Sequence, residues 1–527
     1  MNDEIRVGWR IWAGFSAMGV AMFMAVLDIQ IVATSMPEIQ AGLGIRPEAM
    51  SWIQTSYLIA EIVAIPLSGW LHRRFGMRRL FACIVSAFTL ASIGCALAQG
   101  FAGLILARVA QGFAAGAIIP TVFSAVFLLF PFRLQGIATT IAGVLAVLAP
   151  TLGPLIGGWL TSTKGWHWLF LVNVPPGVAV VAAILVFLPR EEAAGARAEP
   201  FDWPTLVLMA AALAALEIAL KEAPRQGWIS PTVAGLFFVS LGAGLATVRR
   251  ALWQRRPLID VRAFADRDFS VGCWLSFAVG AGLYGAVYLM PVFLGFVRDH
   301  DAFETGRIMV VMGLAQLAAA PVAVAVERRM NPALMSGIGL VVFALGLGLS
   351  YWQSPASDFD DLFWPQIARG IGVMFCLLPI TRVALGHLPD ARVPDASGLF
   401  NLMRNLGGAI GIALVDTILY GRTADNAEAL GARLAAGDRT AAAFVGLPTE
   451  RFTGVPLGPV DEATKALVRP LVERAAFTQS VNEAWALLAA ITLLALAALP
   501  LARRQSPPGA TQERPPPPRS GDEGGSR

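Results

Sequence analysis

The sequence predicts an all-α polytopic membrane protein, and three observations lead to this prediction. The chain of 527 residues is 56% hydrophobic and only 14% charged, whereas about 25% of residues are charged in a typical soluble domain. Apolar stretches of helical length occur fourteen times, and every second loop between them is much richer in arginine than the short loops on the other side. Because the surface of a soluble protein must be wetted, this much apolar surface needs a bilayer to cover it.

Each apolar stretch approaches or exceeds the roughly 20 residues that a helix needs to cross a hydrocarbon core. We number these stretches as spans 1 to 14. Span 1 follows Arg6 and Arg10, as a signal peptide would, but its apolar run is longer than the core of a signal peptide. The predicted bounds are 11–32, 52–71, 80–98, 103–130, 137–160, 168–188, 204–220, 231–248, 270–297, 306–326, 333–351, 362–385, 397–419 and 481–501.

The arginine distribution predicts the orientation. The loops that follow even-numbered spans are rich in arginine, and we call this side of the molecule the basic end. Short loops on the opposite end hold only Arg46, Lys164, Lys221, Arg225 and Arg298. Since basic loops stay in the cytoplasm, we expect a multi-pass protein of the cell inner (cytoplasmic) membrane with both termini cytoplasmic.

The chain divides into two sets of six spans with spans 7 and 8 between them. The run QIARG at 366–370 resembles RVAQG at 108–112, and LGGAIG at 406–411 resembles LGPLIG at 152–157, in the same order. This order indicates a parallel duplication. The predicted parts are a cytoplasmic N-terminus (1–10), an N-terminal six-helix bundle (11–190), two extra spans with linkers (191–268), a C-terminal six-helix bundle (269–502) with an extracytoplasmic loop (421–477), and a disordered cytoplasmic tail (503–527).

Several functional classes find no support in the sequence. Glycine precedes none of the three lysines (Lys164, Lys221 and Lys465), so none completes a phosphate-binding Gly-Lys-Ser/Thr loop. The four cysteines lie in separate apolar stretches and the four histidines are scattered, so we expect buried cysteines, no metal site and no cofactor. A net charge of +4 in short arginine bursts suits membrane orientation better than nucleic acid. Neither the clustered side chains of an enzyme nor the soluble domain of a sensor is visible.

Short sequence runs near the ends and middles of the spans point to one family. They are Leu27-Asp28 with Met36-Pro37, GWLHRRFGMRR at 69–79, LARVAQG at 106–112, GPLIGG at 153–158, WHWLFLVNVPPG at 166–177, NLMRNLGGAIG at 401–411 and SVNE at 480–483. Together these runs resemble the signature motifs of the major facilitator superfamily, and more narrowly the fourteen-span drug:proton antiporters of the EmrB/QacA type. The similarity covers about residues 11–502. One departure is Arg73, which stands where the family usually has an acidic residue.

This resemblance implies a major facilitator fold, with two pseudo-symmetric six-helix bundles plus two extra central spans. It also implies proton-coupled export of hydrophobic or amphipathic compounds by alternating access, without an enzymatic step. A proton-coupled uptake symporter or a metabolite exporter on the same scaffold is the alternative. Small hydrophobic molecules, protons and membrane lipid are the expected partners. EmrB-type pumps also work with a periplasmic adaptor and an outer-membrane channel, whereas QacA-type pumps work alone, and the 421–477 loop is compatible with either.

Charged residues inside the spans are the candidates for proton coupling, because a charge near a helix centre costs on the order of 3 kcal/mol. The first candidate is Asp28, which matches the span 1 acid of the family, with Arg108 of span 4 as its electrostatic partner. Glu61 is the second candidate, from its depth in span 2 alone. A structural ion pair or a side chain that reaches the interface remains the alternative for each acid.

Other candidates concern conformational change and the substrate cavity. The loop motif is either a topology anchor or a latch between the bundles, and the glycines of span 5 are either packing positions or a hinge. The conformational candidates are Gly69, Arg73, Arg74, Gly76, Arg78, Gly112, Gly153, Pro154, Gly157 and Gly158. The cavity candidates are Gln30, Gln54, Tyr57, Tyr284, Tyr288, Asn401, Met403 and Arg404. An aromatic, amphipathic cavity would suit bulky hydrophobic compounds, including cations.

Overall fold

The computed structural model describes residues 7–44, 50–190, 201–254, 257–457 and 462–502, and all regular structure within these ranges is helical. The predicted tail 503–527 and residues 1–6 of the predicted N-terminus lie outside the described residues. The same holds for residues 191–200 of the linker before span 7.

Thirteen helices among the described residues are long and apolar enough to cross a membrane. Each one overlaps a predicted span, so the predicted all-α polytopic membrane architecture is confirmed. Spans 1 and 3 to 14 have these bounds: Trp9–Thr34, Met77–Ala96, Phe101–Leu129, Phe132–Lys164, Trp168–Leu171 continued by Val174–Phe187, Trp203–Gln226, Pro231–Trp253, Arg267–Phe296, Ala302–Glu327, Pro332–Leu349, Phe359–Leu385, Val393–Ala435 and Glu462–Leu494.

Span 2 is present as three consecutive pieces. A helix at Trp52–Ala64 leads into a 3₁₀ turn at Ile65–Leu67 and then into a helix at Ser68–Phe75. Pro66 lies within the turn, and a proline removes a backbone donor and crowds the preceding helical turn. The span therefore tightens at Pro66 and continues toward the basic end.

The packing of the spans repeats in the two halves. In the N-terminal half, span 1 packs on span 5, and spans 2 and 3 pack on span 4. In the C-terminal half, span 9 packs on span 13, and spans 10 and 11 pack on span 12. Every pair in the second half thus lies eight positions after its counterpart, with the two extra spans between. The predicted pair of pseudo-symmetric six-helix bundles is confirmed. Span 5 contacts span 10, and span 13 contacts spans 2 and 4, so these helices join the bundles.

Spans 7 and 8 form a helical hairpin beside the bundles. Span 7 packs on span 8, span 2 and span 13, whereas most of span 8 is exposed on the outside of the molecule. Asp202 accepts a hydrogen bond from the Thr205 amide at the start of span 7 and pairs with Arg250 at the end of span 8. Burial favours the neutral form of Asp202, but hydrogen bonds from Arg250, Thr205 and Gln254 outweigh it and lower its pKa to about 2. Asp202 therefore fastens the basic end of the hairpin as a carboxylate.

The last two spans continue well past the membrane at the opposite end. Span 13 contains 43 residues, about 65 Å of helix at 1.5 Å per residue, whereas the hydrocarbon core is about 30 Å thick. Span 14 begins at Glu462, so most of the predicted polar loop 421–477 belongs to helices. Its apolar residues form a small separate core, which includes Leu430, Leu434, Ala441, Val445 and Ala475.

The cysteines follow the prediction in three of four cases. Cys95, Cys273 and Cys376 are buried and Cys83 is exposed, and all four are free thiols. The predicted burial of Cys83 was wrong, because this position of span 3 faces outward rather than toward span 4.

Candidate transport site

Asp28 lies in a closed polar network inside the N-terminal bundle. Its side chain is fully buried. One carboxylate oxygen accepts a hydrogen bond from Arg108 Nη1 at 2.5 Å, and the other accepts from Gln111 Nε2 at 2.8 Å and from Asn173 Nδ2 at 2.7 Å. A buried ion pair is tolerated only when further hydrogen bonds satisfy its remaining polar atoms, and the two amides meet this requirement for Asp28.

Three spans bring these partners together. Arg108 and Gln111 are three residues apart on span 4 and so share one helix face. Asn173 lies at the break of span 6, directly before a helix that begins at Val174 and has proline in its first turn. The guanidinium of Arg108 also stacks on the ring of Tyr57, 4.3 Å from its centroid, and donates to the Ile53 carbonyl oxygen.

Glu61 is buried near this network but does not belong to it. Among the described residues no side chain donates a hydrogen bond to its carboxylate. It interacts electrostatically with Asp28 and Arg108, and with Glu217 of span 7. The sequence did not identify Gln111 and Asn173 as partners of Asp28, although both lie inside motif runs. The signal that it offered, a polar amide in an apolar span, does not show what the amide contacts.

The loop motif joins the two bundles at the basic end. Arg73 forms an ion pair with Asp395 at the start of span 13 and donates a second hydrogen bond to the Pro257 carbonyl oxygen at 3.3 Å. Gly69 packs directly against Asp395, and a side chain at position 69 would collide with Asp395. Gly76 has a φ of 72°, which favours glycine. Arg74 is exposed.

Other contacts extend this closure. Arg78 donates to the Leu185 carbonyl oxygen and thus ties the loop to span 6. Within the C-terminal bundle, Glu327 of span 10 pairs with Arg382 of span 12 at 2.7 Å. The Arg382 guanidinium also lies 3.9 Å from the ring centroid of Phe132 at the start of span 5. The two bundles are therefore fastened at the basic end in two places.

The glycine motifs are positions of close helix packing. A side chain at Gly112 would collide with the backbone oxygen of Tyr57, and one at Gly116 with that of Glu61, so span 4 lies directly against span 2. Gly153 of span 5 packs against the Gln30 side chain of span 1.

The rest of the span 5 motif lies within one continuous helix, Phe132–Lys164, and the helix backbone continues through Pro154. Gly157 is buried and Gly158 is half-buried. Close packing is thus visible here at Gly153, and the proposed hinge remains a prediction.

A narrow cavity of about 40 Å³ lies between the two bundles. Its apolar wall comes from Val26, Ile119, Phe123, Gly143, Ala146, Pro150, Leu283, Val287 and Leu377, and its polar wall from Tyr284, Asn401, Arg404 and Asn405. A drug-sized ligand needs roughly 300 Å³ or more, so the walls must move apart before such a compound enters.

The other cavity candidates lie elsewhere. Tyr57 is fully buried and donates to the Ala25 carbonyl oxygen at 3.1 Å, and Tyr288 donates to Asp416 at 2.7 Å. Gln30 packs on Gly153, Met403 packs at the edge of the main hydrophobic core, and Gln54 is half-buried on span 2. Of the eight candidates, only Tyr284, Asn401 and Arg404 line the cavity.

A larger pocket of about 380 Å³ opens at the basic end. Charged side chains of both signs line it, among them Asp266, His387 and Arg392. His387 and Asp266 are paired at 2.9 Å. Such walls are unsuited to an apolar compound, and the pocket lies away from Asp28 and the interface cavity.

Comparison with known proteins is consistent with this architecture. The sequence profile of the Major Facilitator Superfamily matches residues 18–412, and the chain belongs to this family of membrane transporters. It is 38% identical over 431 residues to the colistin resistance protein EmrB of Acinetobacter baumannii, covering 80% of this chain and 84% of that protein.

Further similarities extend over most of the chain. The multidrug export protein EmrB of Escherichia coli K12 is 30% identical over 414 residues, which cover 77% of this chain and 80% of that protein. The solved structure of the human organic anion transporter MFSD10 matches with a TM-score of 0.59 at 13% identity, covering 93% of this chain and 99% of that one. The latter similarity concerns the fold alone.

Proposed function

We propose that this protein is a secondary active exporter that moves hydrophobic or amphipathic compounds out of the cell in exchange for protons. The observation that carries the proposal is the Asp28 network, a titratable acid held away from water between spans 1, 4 and 6. In an alternating-access cycle, protonation of Asp28 would cancel its attraction to Arg108 and change the energy balance between conformations. The export activity of the EmrB relatives supports the direction of transport.

The orientation belongs to the same proposal. We place the basic end and both termini in the cytoplasm of a bacterial cell, with the chain in the inner membrane, because arginine-rich loops are retained on that side. The contacts of Arg73 and Arg382 then close the cytoplasmic side. Compounds entering from the cytoplasm would need both contacts to open.

The test is efflux of a fluorescent lipophilic compound from energised cells. We expect wild-type efflux to stop when a protonophore collapses the gradient, and Asp28→Asn to reduce efflux to the level of cells without the protein. Asp360→Asn is the control, because Asp360 is an exposed carboxylate in the first turn of span 12. Efflux that persists with the protonophore would exclude proton coupling. Unchanged efflux in Asp28→Asn would exclude Asp28 from it.

We also propose that the extramembrane extension of spans 13 and 14 can contact a periplasmic adaptor, which would connect the exporter to an outer-membrane channel. Exposed apolar side chains such as Leu467 and Leu471 on this extension support the idea. Purification from native membranes in mild detergent should recover an adaptor with the protein. Full efflux by the purified chain alone in vesicles would show that no adaptor is needed.

A further inference from the structure

The interface cavity contains one charged side chain, the guanidinium of Arg404 on span 13. The side chain is buried, and its one hydrogen bond to a described residue goes to the neutral hydroxyl of Ser276 at 3.3 Å. The guanidinium also lies near the rings of Phe123 and Phe400, at 5.3 Å and 5.0 Å from their centroids.

No described carboxylate neutralises Arg404. Tyr284 is the one described ionisable group with which it interacts electrostatically, and a phenol is neutral at physiological pH. Arg108 provides the contrast, since the Asp28 carboxylate lies 2.5 Å from it. Leaving a buried charge without a counter-charge is costly in a membrane protein, and stacking on aromatic rings offsets part of that cost.

The packing of span 13 explains why Arg404 faces the interface. A side chain at Gly407 would collide with the backbone of Phe277, and one at Gly411 with that of Ala281. These glycines allow one face of span 13 to pack closely against span 9. Arg404 lies one turn before Gly407 and extends along this contact to the cavity, where Asn401 and Asn405 add neutral polar groups.

From this geometry we propose that the exported compound is an amphiphilic anion, whose acidic headgroup binds Arg404 and whose apolar body lies between the bundles. This inference rests on the proposed export function and specifies its substrate class. Apolar walls with one buried positive charge fit a hydrophobic carboxylate or sulfonate. They do not fit the lipophilic cation that an aromatic cavity alone would favour.

The proposal separates the two sites of the transport cycle. Asp28 is fully buried in the N-terminal bundle and does not line the cavity. Glu61 also lies outside the lining, although it interacts electrostatically with Tyr284 at the cavity wall. An anion at Arg404 therefore does not compete with a proton for the Asp28 carboxylate. Coupling between the sites runs through the conformations of the two bundles.

The experiment uses three fluorescent probes that share one long alkyl body: a carboxylate, its methyl ester and a trimethylammonium analogue. Binding to the purified protein is measured by fluorescence, independently of transport. We expect the wild type to bind the carboxylate most tightly. Arg404→Gln should lower the ratio of carboxylate to ester affinity at least tenfold, since hydrogen bonds to a charged partner are among the stronger ones. Arg404→Lys should recover part of the ratio because it keeps the charge.

Arg369→Gln is the matched control, because Arg369 is another buried arginine of the C-terminal bundle that lies outside the cavity lining. Its affinity ratio should equal that of the wild type. A wild type that prefers the trimethylammonium probe, or that binds all three probes equally, overturns the proposal even if Arg404→Gln does not fold. An unchanged ratio in folded Arg404→Gln also overturns it. Absence of protonophore-sensitive efflux, with the binding preference intact, would instead contradict the proposed export function.

Discussion

Single residues in this protein are constrained most strongly where two helices touch through glycine. Gly112 and Gly103 lie on the same span, yet a side chain at Gly112 would collide with the Tyr57 backbone, whereas a side chain at Gly103 meets nothing within 4 Å. The difference matters for function because Tyr57 stacks on Arg108 of the Asp28 network. A shift of span 2 away from span 4 would therefore disturb the partner of Asp28 as well.

Gly112→Ala should destabilise the protein by about 1–3 kcal/mol, the usual cost of forcing an extra group into a packed interior. Gly103→Ala should be neutral or slightly stabilising, because alanine favours helix over glycine by roughly 0.5–1 kcal/mol. The measurement is the thermal unfolding of both variants in detergent, followed by size-exclusion chromatography. Equal stability of the two variants would show that spans 2 and 4 are farther apart than the structure has them.

The Asp28 network also shows what sequence reasoning can reach at this level. Asp28 and Arg108 were paired by their resemblance to a family motif, and the structure places them in contact. Gln111 and Asn173 were not identified, because an amide in an apolar span looks the same whether it packs or donates. Tyr57 and Tyr288 were assigned to the cavity, but each has its own hydrogen-bond acceptor. A tyrosine that satisfies its hydroxyl within the helix bundle cannot be distinguished by sequence from one that faces a ligand.

Among the structural elements, the loop between spans 2 and 3 departs from the pattern of the family motif that it resembles. Arg73 occupies the usual acidic position, and its carboxylate partner, Asp395, lies on span 13 instead. The pair joins the two bundles near the start of span 13. There a carboxylate is also favoured by the helix dipole. The contact is partly exposed, with 29% of the Arg73 side chain accessible and 11% of Asp395.

Charge exchange tests whether this pair is a latch. Arg73→Asp and Asp395→Arg should each slow efflux severalfold, because each places like charges together at a contact that closes the basic end. The double variant should recover part of the rate, since coupling energies of contacting residues are about 0.5–3 kcal/mol. Arg79→Asp is the control, because Arg79 is an exposed arginine at the start of span 3. If the double variant equals the product of the single variants, Arg73 is only a topology anchor.

Helix lengths illustrate the limit of sequence reasoning for whole elements. Hydropathy locates spans 13 and 14 because apolar residues must lie in the bilayer. It says little about where their helices end in water, since polar residues are compatible with helix, turn or coil. The predicted loop 421–477 is consequently mostly helix, and its few apolar residues form a core of their own. In span 2 the sequence shows the proline that can interrupt the helix. It does not show that the interruption is a tight turn at Ile65–Leu67, because that geometry depends on packing.

For the molecule as a whole, the hairpin of spans 7 and 8 links both bundles at the end opposite the basic loops. Lys221 of span 7 donates hydrogen bonds to Ser51 and Thr55 of span 2 at 3.0 Å and 2.8 Å. Just after span 7, Trp228 donates one to Thr417 of span 13 at 3.0 Å. If the bundles rock against each other, this hairpin cannot keep both attachments. The attachment with fewer bonds, that of Trp228, should be the one that breaks.

Chemical cross-linking can distinguish which attachment moves. In a background where the four native cysteines are replaced, Trp228→Cys with Thr417→Cys joins the hairpin to the C-terminal bundle, and Lys221→Cys with Ser51→Cys joins it to the N-terminal bundle. A short thiol-specific cross-linker should stop efflux by the Trp228→Cys/Thr417→Cys variant. It should leave most of the efflux by the Lys221→Cys/Ser51→Cys variant, each compared with the same protein before treatment. Each single-cysteine variant controls for modification without linkage. If cross-linking inhibits only the Lys221→Cys/Ser51→Cys variant, the hairpin moves with the C-terminal bundle. If both cross-linked variants keep full efflux, the outer ends of the bundles do not separate during transport.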